Sequence, residues 1–272
     1  MDSMAQRVSV EDLTIAYGEH KAVSEVSLAI PTGKVTILAG PNGCGKSTLL
    51  RSIRRIHAAH SGRVLLDGID IARLKERDLA RAIGLLAQSP SAPEDMTVAE
   101  LVRLGRYPHQ SMLQPWSSAD ADAVAEAMFG TGVSHLADRR LGTLSGGQLQ
   151  RVWIAMVLAQ ETDVICLDEP VNHLDMAHQI ECLDLVSRLN LERHRTVIVV
   201  LHDLNLAARY ADRLVFMKDG AIVAEGAPEA LMTEDMIGTV FGIRCQIIND
   251  PVHDRPMCIP IRNSSPRFAT GG

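Results

Sequence analysis

"GPNGCGKST", Gly40–Thr48, follows the apolar run "KVTILA" and precedes "LLRSIRRI". The run has the texture of a strand buried on both faces, and the segment from Lys46 onward has the texture of a helix. Gly40, Gly45, Lys46 and Ser47 satisfy the spacing Gly-x-x-x-x-Gly-Lys-Ser/Thr between a strand and a helix. Glycines let backbone N–H groups turn inward around phosphate oxygens, and a helix N-terminus adds partial positive charge. Gly40, Pro41, Asn42, Gly43, Cys44, Gly45, Lys46, Ser47 and Thr48 are therefore the candidate phosphate cradle. Lys46 is placed to reach the β- and γ-phosphates, and Ser47 to put its hydroxyl on Mg²⁺.

A second stretch agrees. "VICLDEP" ends an apolar strand with Asp168 and Glu169. Asp168 fits a carboxylate that holds Mg²⁺ through its coordination shell. Glu169 fits a carboxylate that polarises a water for attack on the γ-phosphate. With the glycine-rich loop they describe a nucleotide-hydrolysing site.

The rest of the chain alternates strand and helix. "RVSVEDLTIAYG" and "AVSEVSLAIPTG" read as antiparallel strands, "KSTLLRSIRRI" as a helix, and "GRVLLDGIDI" as a hairpin turned at Asp67-Gly68. Residues 89–160 read as a helical insert. Strands return at "DVICLD" and "TVIVVLHD", and "RLVFMKDGAIVAEGA" reads as a final hairpin. The pattern predicts an α/β fold with a parallel core sheet. Ligands of such sheets bind beyond the carboxyl ends of the strands, where each polar cluster falls. The expected domain spans residues 4–262, and residues 263–272 are expected to form a disordered tail.

Composition narrows the function. Of 272 residues, 46% are apolar, enough for a sizeable core, and 3% are aromatic, so that core rests on aliphatic side chains. A net charge of −6 opposes a protein that coats nucleic acid. No apolar run reaches the roughly 18 residues of a membrane span, and no signal peptide is expected at the start. Five scattered cysteines lack the spacing of a zinc site or disulfide framework. His20, His57, His60, His109, His135, His178, His194 and His253 read as surface histidines.

"LSGGQLQR", Leu144–Arg151, separates this chain from kinases and small GTPases. It is the signature motif of ATP-binding cassette (ABC) proteins, which the chain resembles throughout. Gln88 after "IGLLA" matches the family's Q-loop, Asp175 closing "VNHLD" its D-loop, and His202 in "VVLHDLN" its switch histidine. Tyr17 in "LTIAYG" matches the aromatic that stacks on adenine. The resemblance implies a P-loop NTPase cassette: a RecA-like parallel-sheet core, an N-terminal antiparallel β-subdomain and a helical insert. It implies ATP and Mg²⁺ as cofactors, with Glu169, His202, Lys46 and Gln88 catalytic and Ser47, Gln88 and Asp168 around the metal. It also implies a head-to-tail homodimer. Ser145, Gly146, Gly147 and Gln148 of one chain, with Asp175, then complete the ATP site of the other.

Finer stretches, "GRYPHQ", "QRVWIAMVLAQET" and "FGIRCQIINDPV" among them, resemble the ATPase subunits of ferric-siderophore importers, nearest the ferric-enterobactin type. That implies two membrane-spanning permease subunits, an external siderophore-binding protein acting through them, and a place at the cytoplasmic face of the membrane, with no nucleic-acid partner. Importers of cobalamin or haem, and a soluble ABC ATPase with a non-membrane target, are the alternatives. "GRYPHQ" serves no phosphate chemistry, so Arg106 is expected on the permease-docking surface. Cys44, beside Lys46 and a helix N-terminus, is either a reactive thiol or simply a small residue, packed and inert.

Overall fold

The structure, a computed structural model, describes residues 6–110 and 116–261. The expected tail, 263–272, lies outside them. β1 (Gln6–Tyr17) and β2 (His20–Pro31) pair antiparallel, and β3 (Val35–Ala39) leads through the glycine-rich loop into α1 (Lys46–Ile53). β4 (Ser61–Leu66) and β5 (Ile69–Asp70) turn at Asp67-Gly68, then α2 (Glu76–Ala82) and β6 (Ile83–Leu86) follow. The insert carries α3 (Val98–Leu104), α4 (Ser118–Gly130) and α5 (Gly146–Ala159). Thr97 and Ser117 open α3 and α4 with reciprocal capping boxes to Glu100 and Asp120.

The chain continues with β7 (Val164–Asp168), α6 (Met176–Arg193), β8 (Thr196–Val200), α7 (Leu204–Tyr210) and the hairpin β9 (Arg213–Lys218), β10 (Ala221–Gly226). It closes with α8 (Pro228–Leu231), α9 (Glu234–Phe241) and a second hairpin, β11 (Cys245–Asn249) and β12 (Pro256–Pro260).

One sheet has the order β10-β9-β3-β8-β7-β6, parallel except where β10 folds back on β9. A separate antiparallel sheet has the order β2-β1-β4-β5. The parallel strands alternate between two cores. Ile37, Leu167 and Val199 face the side of α5, α6 and α7. Leu38, Cys166 and Ile198 face α1 and the antiparallel sheet. Both faces are therefore buried, which is why these strands read as continuous apolar runs.

This topology makes the site. β3, β8, β7 and β6 are neighbours, and all point the same way. Their carboxyl ends bring the glycine-rich loop, His202, Asp168 with Glu169, and Gln88 to one rim, although these residues are far apart in sequence.

Two expectations need correcting here. The helix expected over "KSTLLRSIRRI" stops at Ile53. Arg55 takes φ 60° and donates to the carbonyls of Ile71 and Leu74, which binds the chain to another segment instead of a further turn. Arg106, expected on the docking surface, is instead turned inward. It is 5% exposed and its guanidinium meets Asp120 at 2.8 Å, Glu161 at 2.7 Å and the Ala159 carbonyl at 2.8 Å. It ties α3 to α4 and to the end of α5.

Candidate functional site

The cradle is shaped by close backbone approach. Gly45 has φ 100°, and a Cβ there would lie 2.2 Å from the Ala22 carbonyl oxygen. Glycine is required on both counts. Gly45 is the N-cap of α1 and offers no side chain to the first N–H groups of the helix, which leaves them to face an anion. Lys46 is buried, and its Nζ donates to the carbonyls of Gly40 at 2.9 Å and Pro41 at 2.8 Å. The loop thus folds around its own cation.

The loop, Gln88, Glu169, Asn172, His202 and Ala22 line one open cleft of about 560 Å³. Glu169, at the end of β7, is 8% exposed and fully engaged. His202 Nε2 lies 2.6 Å from Oε1, Gln88 Nε2 donates to Oε2 at 2.6 Å, and Asn172 Nδ2 donates to Oε2 at 3.0 Å. Glu169 also has φ 52°, a left-handed conformation that costs an ordinary residue about 1–3 kcal/mol and that clusters at functional sites.

Asp168 is buried one residue earlier. Its Oδ1 accepts from Ser47 Oγ at 2.6 Å, and its Oδ2 accepts from Arg51 Nε at 3.0 Å and pairs with Arg51 Nη2 at 2.9 Å. Ser47 and Asp168 are thereby brought together. Gln88, the third residue expected around a metal, is turned to Glu169 instead.

Ser145, Gly146, Gly147, Gln148, Asp175 and Tyr17 stand apart from this cleft. Ser145 caps α5 in a capping box with Gln148, and Ser145 and Gly146 are exposed. Asp175 caps α6. Tyr17 is 49% exposed and meets His57 edge-on at 5.5 Å. Cys44 lines the cleft but is 4% exposed, with Sγ 3.7 Å from Lys46 Nζ. A thiol so enclosed is not presented to reagents, which favours the packed, inert alternative. His178 is half-buried against Gly147 rather than a plain surface histidine.

Sequence reading missed Asn172 and Arg51. Asn172 lies three positions after Glu169, within a turn in which its own N–H bonds the Glu169 carbonyl. That spacing was the available signal. Arg51 lies one helical turn after Ser47 on α1 and so reaches the same carboxylate.

Among the described residues, no helix is long and apolar enough to cross a membrane. The ABC transporter family model matches residues 23–172. A probable siderophore transport system ATP-binding protein of Bacillus subtilis (strain 168) is 51% identical over 93% of this chain and 92% of its own. The ferric enterobactin transport ATP-binding protein of Escherichia coli (strain K12) is 48% identical over 99% of both chains. A dimeric bacterial ABC transporter cassette superposes with TM-score 0.72 at 30% identity, covering 81% of this chain and 98% of its own. With a glycine-rich loop and a held carboxylate on one sheet rim, and with relatives of this similarity over nearly its whole length, the chain belongs to the ABC transporter family, as one of its nucleotide-binding ATPases.

Proposed function

We propose that the chain drives ferric-siderophore import, as a homodimer of cassettes at the cytoplasmic face of the membrane. The single observation that carries the cargo is the near-full-length similarity to ATP-binding proteins of siderophore transport. The cassette itself need not touch the iron chelate. Its task is to couple ATP to two permease subunits, to which an external binding protein delivers the cargo.

The geometry supports a mechanism. Lys46 exchanges the carbonyls of Gly40 and Pro41 for the β- and γ-phosphates, and the N–H groups opening α1 hold the same oxygens. Tyr17, exposed at the end of β1, stacks on the adenine. Ser47 and Asp168 supply two hard oxygen donors side by side, which suits Mg²⁺. The ion, when bound, neutralises phosphate charge. Arg51 holds Asp168 until then. Gln88 and His202 grip Glu169 in the resting chain. Release of one of these contacts lets Glu169 orient a water, while His202 turns to the γ-phosphate. Ser145 and Gly146, exposed at the start of α5, close the site of the second chain with the N–H groups of that helix.

The permease surface follows from the insert. Leu104 and Tyr107 are 51% and 75% exposed beside Trp116, whose ring carries Arg103 at 4.2 Å. This largely apolar groove at the end of α3, edged by Arg103 and Glu100, suits a short apolar element of a permease. Closure of the dimer moves the groove, and the differential affinity of ATP for closed and open dimers supplies the drive.

The test is uptake of ⁵⁵Fe-labelled siderophores in a strain lacking this chain and complemented with wild type or Glu169→Gln. Uptake restored only by wild type supports the reading. Normal iron-chelate uptake in the deletion strain, with uptake of another chelate lost, overturns the cargo.

A further inference from the structure

The N-termini of α5 and α6 touch through one side chain. A Cβ built on Gly147 would lie 2.3 Å from Cδ2, 2.7 Å from Cγ and 2.9 Å from Nε2 of His178. The imidazole therefore rests on the backbone of the first turn of α5. On its other side, Nδ1 lies 2.7 Å from Oδ1 of Asp175, and that same oxygen accepts the His178 backbone N–H at 3.0 Å. These contacts, the backbone N–H first and the ring second, hold the Asp175 carboxyl below its ordinary range. A carboxylate only accepts, so Nδ1 carries the proton that joins them. The one further polar link between these helices among the described residues is Arg151 to Glu181 at 3.7 Å, partly exposed and weak.

We propose that His178 is a positioning residue: it fixes the segment Ser145–Gly147 to the segment Leu174–Asp175, so that one chain offers both to its partner's nucleotide as a single rigid surface. This rests on the composite-site reading above. The two segments belong to different helices, with no backbone hydrogen bond between them among the described residues. Their relative position is otherwise left to apolar packing, as where Leu174 Cδ2 lies 3.9 Å from a Cβ built on Gly146. A flat ring fits where glycine leaves room, and its N–H makes a charge-assisted bond at the far edge. The ring makes no hydrogen bond to the cradle, Lys46 or Glu169 and does not line their cleft, so the effect is specific to the second chain's site.

The experiment uses the full chain. Dimerisation with ATP is measured by light scattering in a Glu169→Gln parent, with and without His178→Ala or His178→Asn. Monomer ATP affinity is measured with a fluorescent nucleotide analogue, and kcat and KM are measured for the same substitutions in the wild-type background. His178→Ala is expected to weaken ATP-driven dimerisation and lower kcat by about tenfold, the order of one charge-assisted hydrogen bond. Monomer ATP affinity is expected to stay within about twofold, well inside the effect of one such bond. His178→Asn, whose amide can reach Asp175, is expected to recover part of the loss. A merely structural role would lower monomer binding and dimerisation together, and that result overturns the proposal. So does a His178→Ala chain that dimerises and turns over like its parent, or a His178→Asn chain no better than His178→Ala. A Glu169→Gln parent that stays monomeric with ATP overturns the composite-site reading itself, and this inference with it.

Discussion

His202 Nε2 lies 2.6 Å from Glu169 Oε1, joining the ends of two adjacent parallel strands across the nucleotide cleft. With Gln88 and Asn172 on the other oxygen, the carboxylate is held on both sides before any substrate arrives. Three side chains thus fix its orientation.

Glu169→Gln keeps the shape of the side chain and removes the base. Its hydrolysis should fall by about 10²–10⁴-fold, the span of a lost general base. ATP binding should persist, because the residue makes no hydrogen bond to the loop. Phosphate release and nucleotide affinity, measured on the same preparation, check both parts. Turnover at the wild-type rate removes Glu169 from the chemistry.

Lys46→Ala should weaken ATP binding by about tenfold or more, since it deletes a buried point charge meant for the phosphates. Bound ATP raises the melting temperature of a chain that binds it only when folded. That rise should be lost in the variant, and an undiminished rise contradicts the role of the loop.

Arg106→Glu should destabilise the insert rather than uncouple transport. The new carboxylate would face Asp120 and Glu161 where the guanidinium now sits. Breaking a buried pair costs about 3–5 kcal/mol, so poor folding and faster proteolysis within the insert are the expected outcome. A well-folded variant with normal ATPase activity and no transport would restore Arg106 to the docking surface. Leu104 and Tyr107, exposed on the same stretch, are the better choice for testing coupling.

Acid should loosen the same joint. Burial raises the Asp120 carboxyl but is outweighed by the Ser117 N–H and hydroxyl and by Arg106, leaving it at about 2. A depressed folded-state value means stability that is fully present above the unfolded value, about 4, and lost as pH falls from there toward 2. Hydrogen exchange of α3 and α4 should therefore rise over that window, and Asp120→Asn should flatten the rise. Unchanged protection of both helices down to the lower limit contradicts the assignment.

The parallel strands were legible because burial on both faces forces continuous apolar runs, and the loop at Gly40–Thr48 was legible because its spacing is imposed by phosphate geometry. Other features have no local signature. Arg106 has the same letters around it whether solvated or clasped, and its partner Glu161 lies 55 positions away. The strands β11 and β12 bury only Cys245 and Cys258 and expose Ile248 and Ile259, so their alternation is faint. His178 looked like a surface histidine because Gly147, on which its ring rests, lies on another helix. Contacts between elements follow from topology, and topology is what the letters specify least directly.

The composite site is tested most directly by mixing two defective chains, Lys46→Ala and Ser145→Arg. Each alone puts a defect in both sites of its homodimer. In the mixed dimer one site carries both defects, and the other combines an intact loop with an intact signature. ATP hydrolysis by each chain alone should be near background, and the mixture should regain it in proportion to mixed dimer formed. Wild-type hydrolysis by Ser145→Arg alone, or a mixture no more active than its parts, would contradict a site built from two chains.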